Sequence, residues 1–239
     1  MKRFFIICFL FCFFNGFSLF ASGSIFFGQS KIKMTDFNNL LSNIGYDNEI
    51  KKGYLGGINI NFTKLPLENF YLATKIYLFT TEESKYFNEF KSNFVNDYGE
   101  FYYDKIKSKV KGRLIPFLIG INYNEPIFEK LTFNAGLFTG FGIMRIKDET
   151  TLEYWDWVFP NFRNQERGLI KLKSISNEKT YSKGVGIIEC NIGLDYNLYE
   201  NVSLGIDYGY RFTTAPTVEN TEVDFSGTNL IFSLKFNID

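Results

Sequence analysis

The sequence predicts an all-β fold, an eight-stranded antiparallel transmembrane β-barrel with short periplasmic turns and long extracellular loops. Three observations predict it. Apolar and polar residues alternate at period 2 over segments long enough for a tilted crossing strand, which takes about 9–11 residues. The connections between these segments alternate between short and long. The third is an aromatic load of 29 Phe, 15 Tyr and 2 Trp in a chain balanced at 26 Lys+Arg against 26 Asp+Glu. A membrane interface accounts for that load better than a soluble core does.

The alternation is cleanest near the C-terminus. Over 202–213 the apolar positions are Val202, Leu204, Ile206, Tyr208, Tyr210 and Phe212, with Ser203, Gly205, Asp207, Gly209, Arg211 and Thr213 between them. The segment 229–239 repeats the pattern with Leu230, Phe232, Leu234, Phe236 and Ile238, and 188–198 shows it from Ile188 to Leu198. Further strands are predicted over 131–145, 112–124, 69–80, 53–63 and 23–33. Short turns then fall at 64–68, 125–130 and 199–201, and long loops at 32–52, 81–111, 146–183 and 214–226. Pro116 stands inside 112–124, where a closed barrel has no free edge for it, and predicts a bulge. In the loop 81–111, Tyr86, Phe90 and Phe94 at spacing four predict a short amphipathic helix whose solvated face carries the nearby acids.

Met1-Lys2-Arg3, the apolar run from Phe4 to Phe14 and the small residues Ala21-Ser22-Gly23 read as a signal peptide over 1–23, with cleavage after Gly23 or after Ala21. Its removal takes Lys2, Arg3, Cys8 and Cys12, leaving 24 cations against 26 acids and Cys190 as the one cysteine. The mature domain, 24–239, is then exported and folds without an intramolecular disulfide.

The chain has no histidine. That excludes Ser-His-Asp and Cys-His pairs and imidazole metal ligands, so the reading is non-enzymatic, with no cofactor and no metal. Balanced charge argues against nucleic acid as a partner. Lys75, Glu189, Asp195, Asp207, Arg211 and Lys235 fall on the polar face of their strands, inside the barrel, as compensated charge. Centring the last hairpin on Glu200 sets Glu189 opposite Arg211. The loop 146–183 holds both tryptophans. Tyr154, Trp155, Trp157, Phe159, Phe162, Arg163 and Arg167 are its candidate ligand-binding residues, because large aromatics and Arg are what protein interfaces enrich.

On this pattern, 24–239 resembles the small eight-stranded outer-membrane proteins of the OmpA, OmpX and OmpW type. The terminal strand resembles their assembly signal, although Asn237-Ile238-Asp239 follow Phe236 where the family ends on an aromatic. The heavy use of Phe, Ile, Asn, Lys and Tyr resembles that of a low-GC genome, for instance a spirochaete's, where such surface barrels are known. The resemblance implies a monomer in the bacterial outer membrane. It would display its loops to host matrix protein, serum protein or glycan, or serve the membrane structurally, with a narrow porin as the alternative. Mass spectrometry of the native protein is expected to find an N-terminus between Ser22 and Ser24; Met1 or a lipidated Cys12 overturns the leader reading.

Overall fold

The computed structural model describes residues 22–95, 101–158 and 168–237. β1 (Ser22–Ile32) leads through helix α1 (Thr35–Asn43) into β2 (Lys52–Lys64), β3 (Phe70–Thr81) and β4 (Ser84–Val95). Three long strands follow, β5 (Phe101–Phe128), β6 (Leu131–Val158) and β7 (Gly168–Tyr199). The chain ends with β8 (Val202–Thr213), the two-residue strands β9 (Thr217–Val218) and β10 (Thr221–Glu222), and β11 (Gly227–Asn237). The main sheet runs β3-β2-β1-β11-β8-β7-β6-β5-β4, all antiparallel, and β3 pairs with β5 as well. That last pairing closes a ring of eight strands and leaves β4 outside it.

Alternation sets what faces where. On β1, Ile25 and Phe27 are exposed while Ser24, Phe26 and Ser30 are buried. Round the ring the outward set continues through Ile119, Phe141, Ile192, Ile206 and Phe232, all exposed apolar side chains. An outward apolar belt over an inward set rich in Gly, Asn and Ser is the inverse of a soluble barrel, and it suits a bilayer. Toward the short turns the belt becomes aromatic: Phe70 and Tyr123 lie 4.8 Å apart, centroid to centroid, and Phe128, Tyr196 and Phe236 are exposed.

Each short turn closes on a register shift, at Asn61/Lys64, Pro126/Phe128 and Asn197/Tyr199. Barrel rims favour such bulges because an extra residue tightens the local twist. Pro116, by contrast, makes no bulge. It stands opposite Gly142 in an unbroken β5–β6 ladder, and its cost falls on the other side. There the β3–β5 pairs pass from Ile76–Phe117 to Phe79–Leu114 without a change of register. The ladder skips the position where proline has no N–H to give.

Three further expectations are corrected. Within 81–111 and 146–183 the described residues are mostly strand and not loop: β5, β6 and β7 run on far beyond the belt, and β4 pairs with the outer part of β5 from Ser84–Val110 onward. The outward apolar alternation stops at the top of the belt, but hydrogen-bonded pairing does not. The helix predicted from Tyr86, Phe90 and Phe94 is strand β4. A spacing of four keeps residues on one face of a helix and of a strand alike, so the pattern did not discriminate. Helix α1 lies in 32–52, where only a loop was predicted; it buries Phe37, Asn38 and Leu41.

That helix and the segment before β11 roof the barrel. Met34, Phe37, Leu41, Ile50, Val218, Val223 and Phe225 join Phe79, Leu114, Met144 and Ile187 in one buried apolar cluster. Phe79 and Phe225 meet edge to face at 5.8 Å. Asn38 locks the roof by donating to the Ile50 carbonyl at 3.0 Å and accepting from the Ile50 N–H at 2.8 Å.

Candidate functional site

Two places gather chemistry, the lumen beneath the roof and the sheet that rises above the belt. In the lumen, Lys75, Glu189 and Arg211 are all buried. Glu189 and Arg211 are cross-strand partners, but the Glu189 carboxylate reaches across the lumen to Lys75 and accepts from the Tyr77 hydroxyl at 2.7 Å. Arg211 donates to that same hydroxyl at 3.2 Å, to the Phe225 carbonyl at 3.1 Å and to Ser30 Oγ at 3.3 Å. Tyr77, which sequence reasoning did not single out, joins the two charges.

Below this waist, Lys235 donates to Asp195 at 2.6 Å, and Asp207 is buried beside them. Asn59, Asn134, Asp195, Asp207, Ser233 and Lys235 line a polar cavity of about 310 Å³ on the short-turn side. The charged waist and the buried apolar roof together occupy the lumen above this cavity. Among the described residues no group of three His, Cys, Asp or Glu side chains could hold a metal ion.

The raised sheet comprises β4 and the outer parts of β5, β6 and β7. β8 and Thr214 reach β7 only as far as Gly186, so among the described residues 168–185 has no ladder partner on that side. On its outward face Lys105, Lys107, Lys109 and Lys111 follow one another along β5. Glu89 holds Lys105 at 3.2 Å, Glu153 holds Lys107 at 3.2 Å, Glu149 holds Lys109 at 2.6 Å and Glu83 holds Lys111 at 3.3 Å. Glu153 also takes Lys171 at 2.8 Å. The four lysines at period 2 were a readable strand signal, charged instead of apolar.

Of the candidate ligand-binding residues, Tyr154 and Trp155 are half-buried on β6. Trp155 donates its indole N–H to Glu153 at 3.3 Å, and its ring lies 5.2 Å from Lys105 Nζ. Trp157 is placed on β6 opposite Leu169. Phe159, Phe162, Arg163 and Arg167 lie outside the described residues.

Lys171 beside Glu153, then Lys107 and the Trp155 N–H against the opposing effect of burial, hold this carboxyl at about 2. Lys109 and Lys147 hold Glu149 at about 2 in the same way. A depressed carboxylate stabilises the fold fully above its ordinary value, about 4.5, and loses that contribution as pH falls through the folded value. Tryptophan fluorescence of the sheet is therefore expected to hold at pH 3 and to change only toward pH 2, a step that E153Q removes; a midpoint near 4.5 in the native protein overturns it. In the lumen, E189A leaves the Lys75 ammonium buried without its carboxylate. It is expected to lower unfolding stability in urea by ~3–5 kcal/mol, less if water enters.

No protein-family model matches the chain, and no curated protein matches it. Among solved structures it is similar to Ail, the attachment invasion locus protein of Yersinia pestis, in complex with the heparin analogue sucrose octasulfate. Identity there is 14%, with 91% of this chain and 100% of that one covered and a TM-score of 0.38. It is also similar to Neisserial surface protein A, at 9% identity, 91% and 96% coverage and a TM-score of 0.40. A third is an outer-membrane channel of Pseudomonas putida, at 9% identity, 91% and 96% coverage and a TM-score of 0.26. By its own geometry, a closed eight-stranded wall with an apolar outer belt and a filled polar lumen, this chain has the build of a small outer-membrane β-barrel.

Proposed function

We propose that the chain is a monomeric surface barrel of the bacterial outer membrane, exported by its leader, that presents the raised sheet to an acidic partner, as an adhesin does. The observation that supports this reading best is the sheet itself. It stands clear of the belt, has no ladder partner on one side over 168–185 among the described residues, and carries exposed Lys171, Lys173 and Lys183 there. Lys173 and Lys183 have no acidic partner among the described residues. Unpaired edge groups and unspent cations suit a sulfated glycan or an acidic host protein, through main-chain and charge-assisted contacts. Tyr154, Trp155, Trp157, Phe159, Phe162, Arg163 and Arg167 would supply the contacts, and the role is binding, not catalysis. The porin reading is weaker because the waist and the apolar roof fill the lumen.

Reconstituted protein is expected to bind a sulfated glycan with an affinity that falls as salt rises. Replacing Arg163, Arg167 and Lys173 together by Gln should weaken that binding at least about tenfold, or 1.4 kcal/mol, and leave the barrel folded. Removal of 159–167 with no loss of binding to any acidic partner defeats the proposal, and steady single-channel conductance in planar bilayers favours the porin.

A further inference from the structure

Where β5 and β6 leave the apolar belt, the register sets like charges directly against each other. Arg113 pairs with Arg145, and one rung outward Lys111 pairs with Lys147. All four occupy the outward-facing positions of their strands, continuing the series of Phe117 and Phe141, whose rings stack at 5.8 Å. Like charges opposed across a ladder repel, so a block of this kind needs anions. The two lysines have them: Lys111 bonds to Glu83, and Lys147 to Glu149 and Glu178. The two arginines do not. Both are exposed, and among the described residues neither has an acidic partner.

The surface below the arginines is apolar. Ile143, Phe117 and Phe141 are exposed on the next two rungs, each rung about 7 Å further into the belt. At the opposite rim the same two strands carry aromatic rings instead, with Tyr123 and Phe133 6.5 Å apart. A guanidinium fork binds phosphate oxygens through paired N–H donors, and two opposed forks suit one phosphate group held between them. A free phosphate ion would use the forks but not the apolar surface beneath. An amphiphile whose phosphate sits at the forks and whose acyl chains lie along Ile143, Phe117 and Phe141 uses both.

We propose that Arg113 and Arg145 form a clamp for the phosphate of a lipid headgroup in the outer leaflet. The clamp rests on the membrane reading given above and adds a ligand to the wall of the barrel, away from the raised sheet's partner. It also sets the height at which the barrel rides in the bilayer.

The test uses the full mature chain in nanodiscs of phosphatidylcholine containing a minority of phosphatidylglycerol, with retained lipid counted by native mass spectrometry. The native protein is expected to retain phosphatidylglycerol over phosphatidylcholine, and R113Q/R145Q to lose that preference by about tenfold. R113K/R145K, which keeps the charge but not the fork, should fall between them, and it decides the matter if the Gln variant does not fold. K64Q, at the opposite rim, should behave as the native protein does. Equal preference in the native and Gln proteins overturns the clamp, as does an equal loss in K64Q. Displacement of the lipid by millimolar inorganic phosphate overturns the assignment to lipid. Failure of the native chain to insert at all would instead defeat the membrane reading, and the clamp with it.

Discussion

Closure of the sheet between β3 and β5 is the constraint on which the rest of the molecule depends. Inside a bilayer no water satisfies an exposed N–H or C=O, so every strand of the belt must be paired on both sides. Once the ring is closed, alternation has one meaning everywhere: one set of side chains meets lipid and the other meets the lumen. A narrow lumen also limits size. At Gly120 a Cβ would lie 2.1 Å from the Leu137 carbonyl oxygen, and at Gly193 one would lie 2.1 Å from Asp207 Oδ1. Glycine at these places lets strand meet strand and gives the carboxylate its room. Pro116 shows the tolerance of the same constraint, since the ring absorbs a missing donor as a gap and not as a slip.

The lumen divides by solvent access. Its short-turn half is polar and holds the cavity, while its outer half is sealed by α1 and the segment before β11. Between them Glu189, Lys75, Tyr77 and Arg211 satisfy one another. A buried charge without such partners would be costly, and removal of one partner exposes that cost. The apolar roof also explains why Arg211 can be fully buried: it bonds to the roof's Phe225 carbonyl and lies 4.5 Å from the Phe79 ring.

Above the belt the same strands continue under different physics. Lipid no longer selects apolar residues, and the ladder is dressed with Lys–Glu pairs that individually contribute little in water and weaken with salt. Glu149 and Glu153 each bridge two lysines, which makes a connected lattice out of otherwise weak contacts.

Much of this was legible in the residues. Period 2 over 188–198, 202–213 and 229–239 located β7, β8 and β11 within the belt, and the parity across Glu200 placed Glu189 opposite Arg211, because both rest on local, alternating contact with lipid. Other features depended on partners remote in the chain. Asn38 finds Ile50 and α1 finds Phe225's cluster only after closure brings them together at the barrel mouth. Tyr77 becomes a hub because two strands across the lumen aim Glu189 and Arg211 at it. The outer halves of β5, β6 and β7 escaped notice because their alternation is written in Lys and Glu. Such residues read as loop until a register pairs them. The sequence by itself determined the wall and its two faces, since lipid and lumen impose opposite demands on successive residues. Only the tertiary structure decided the roof, the waist and the raised sheet, because each is made by contacts between segments whose own patterns name no partner.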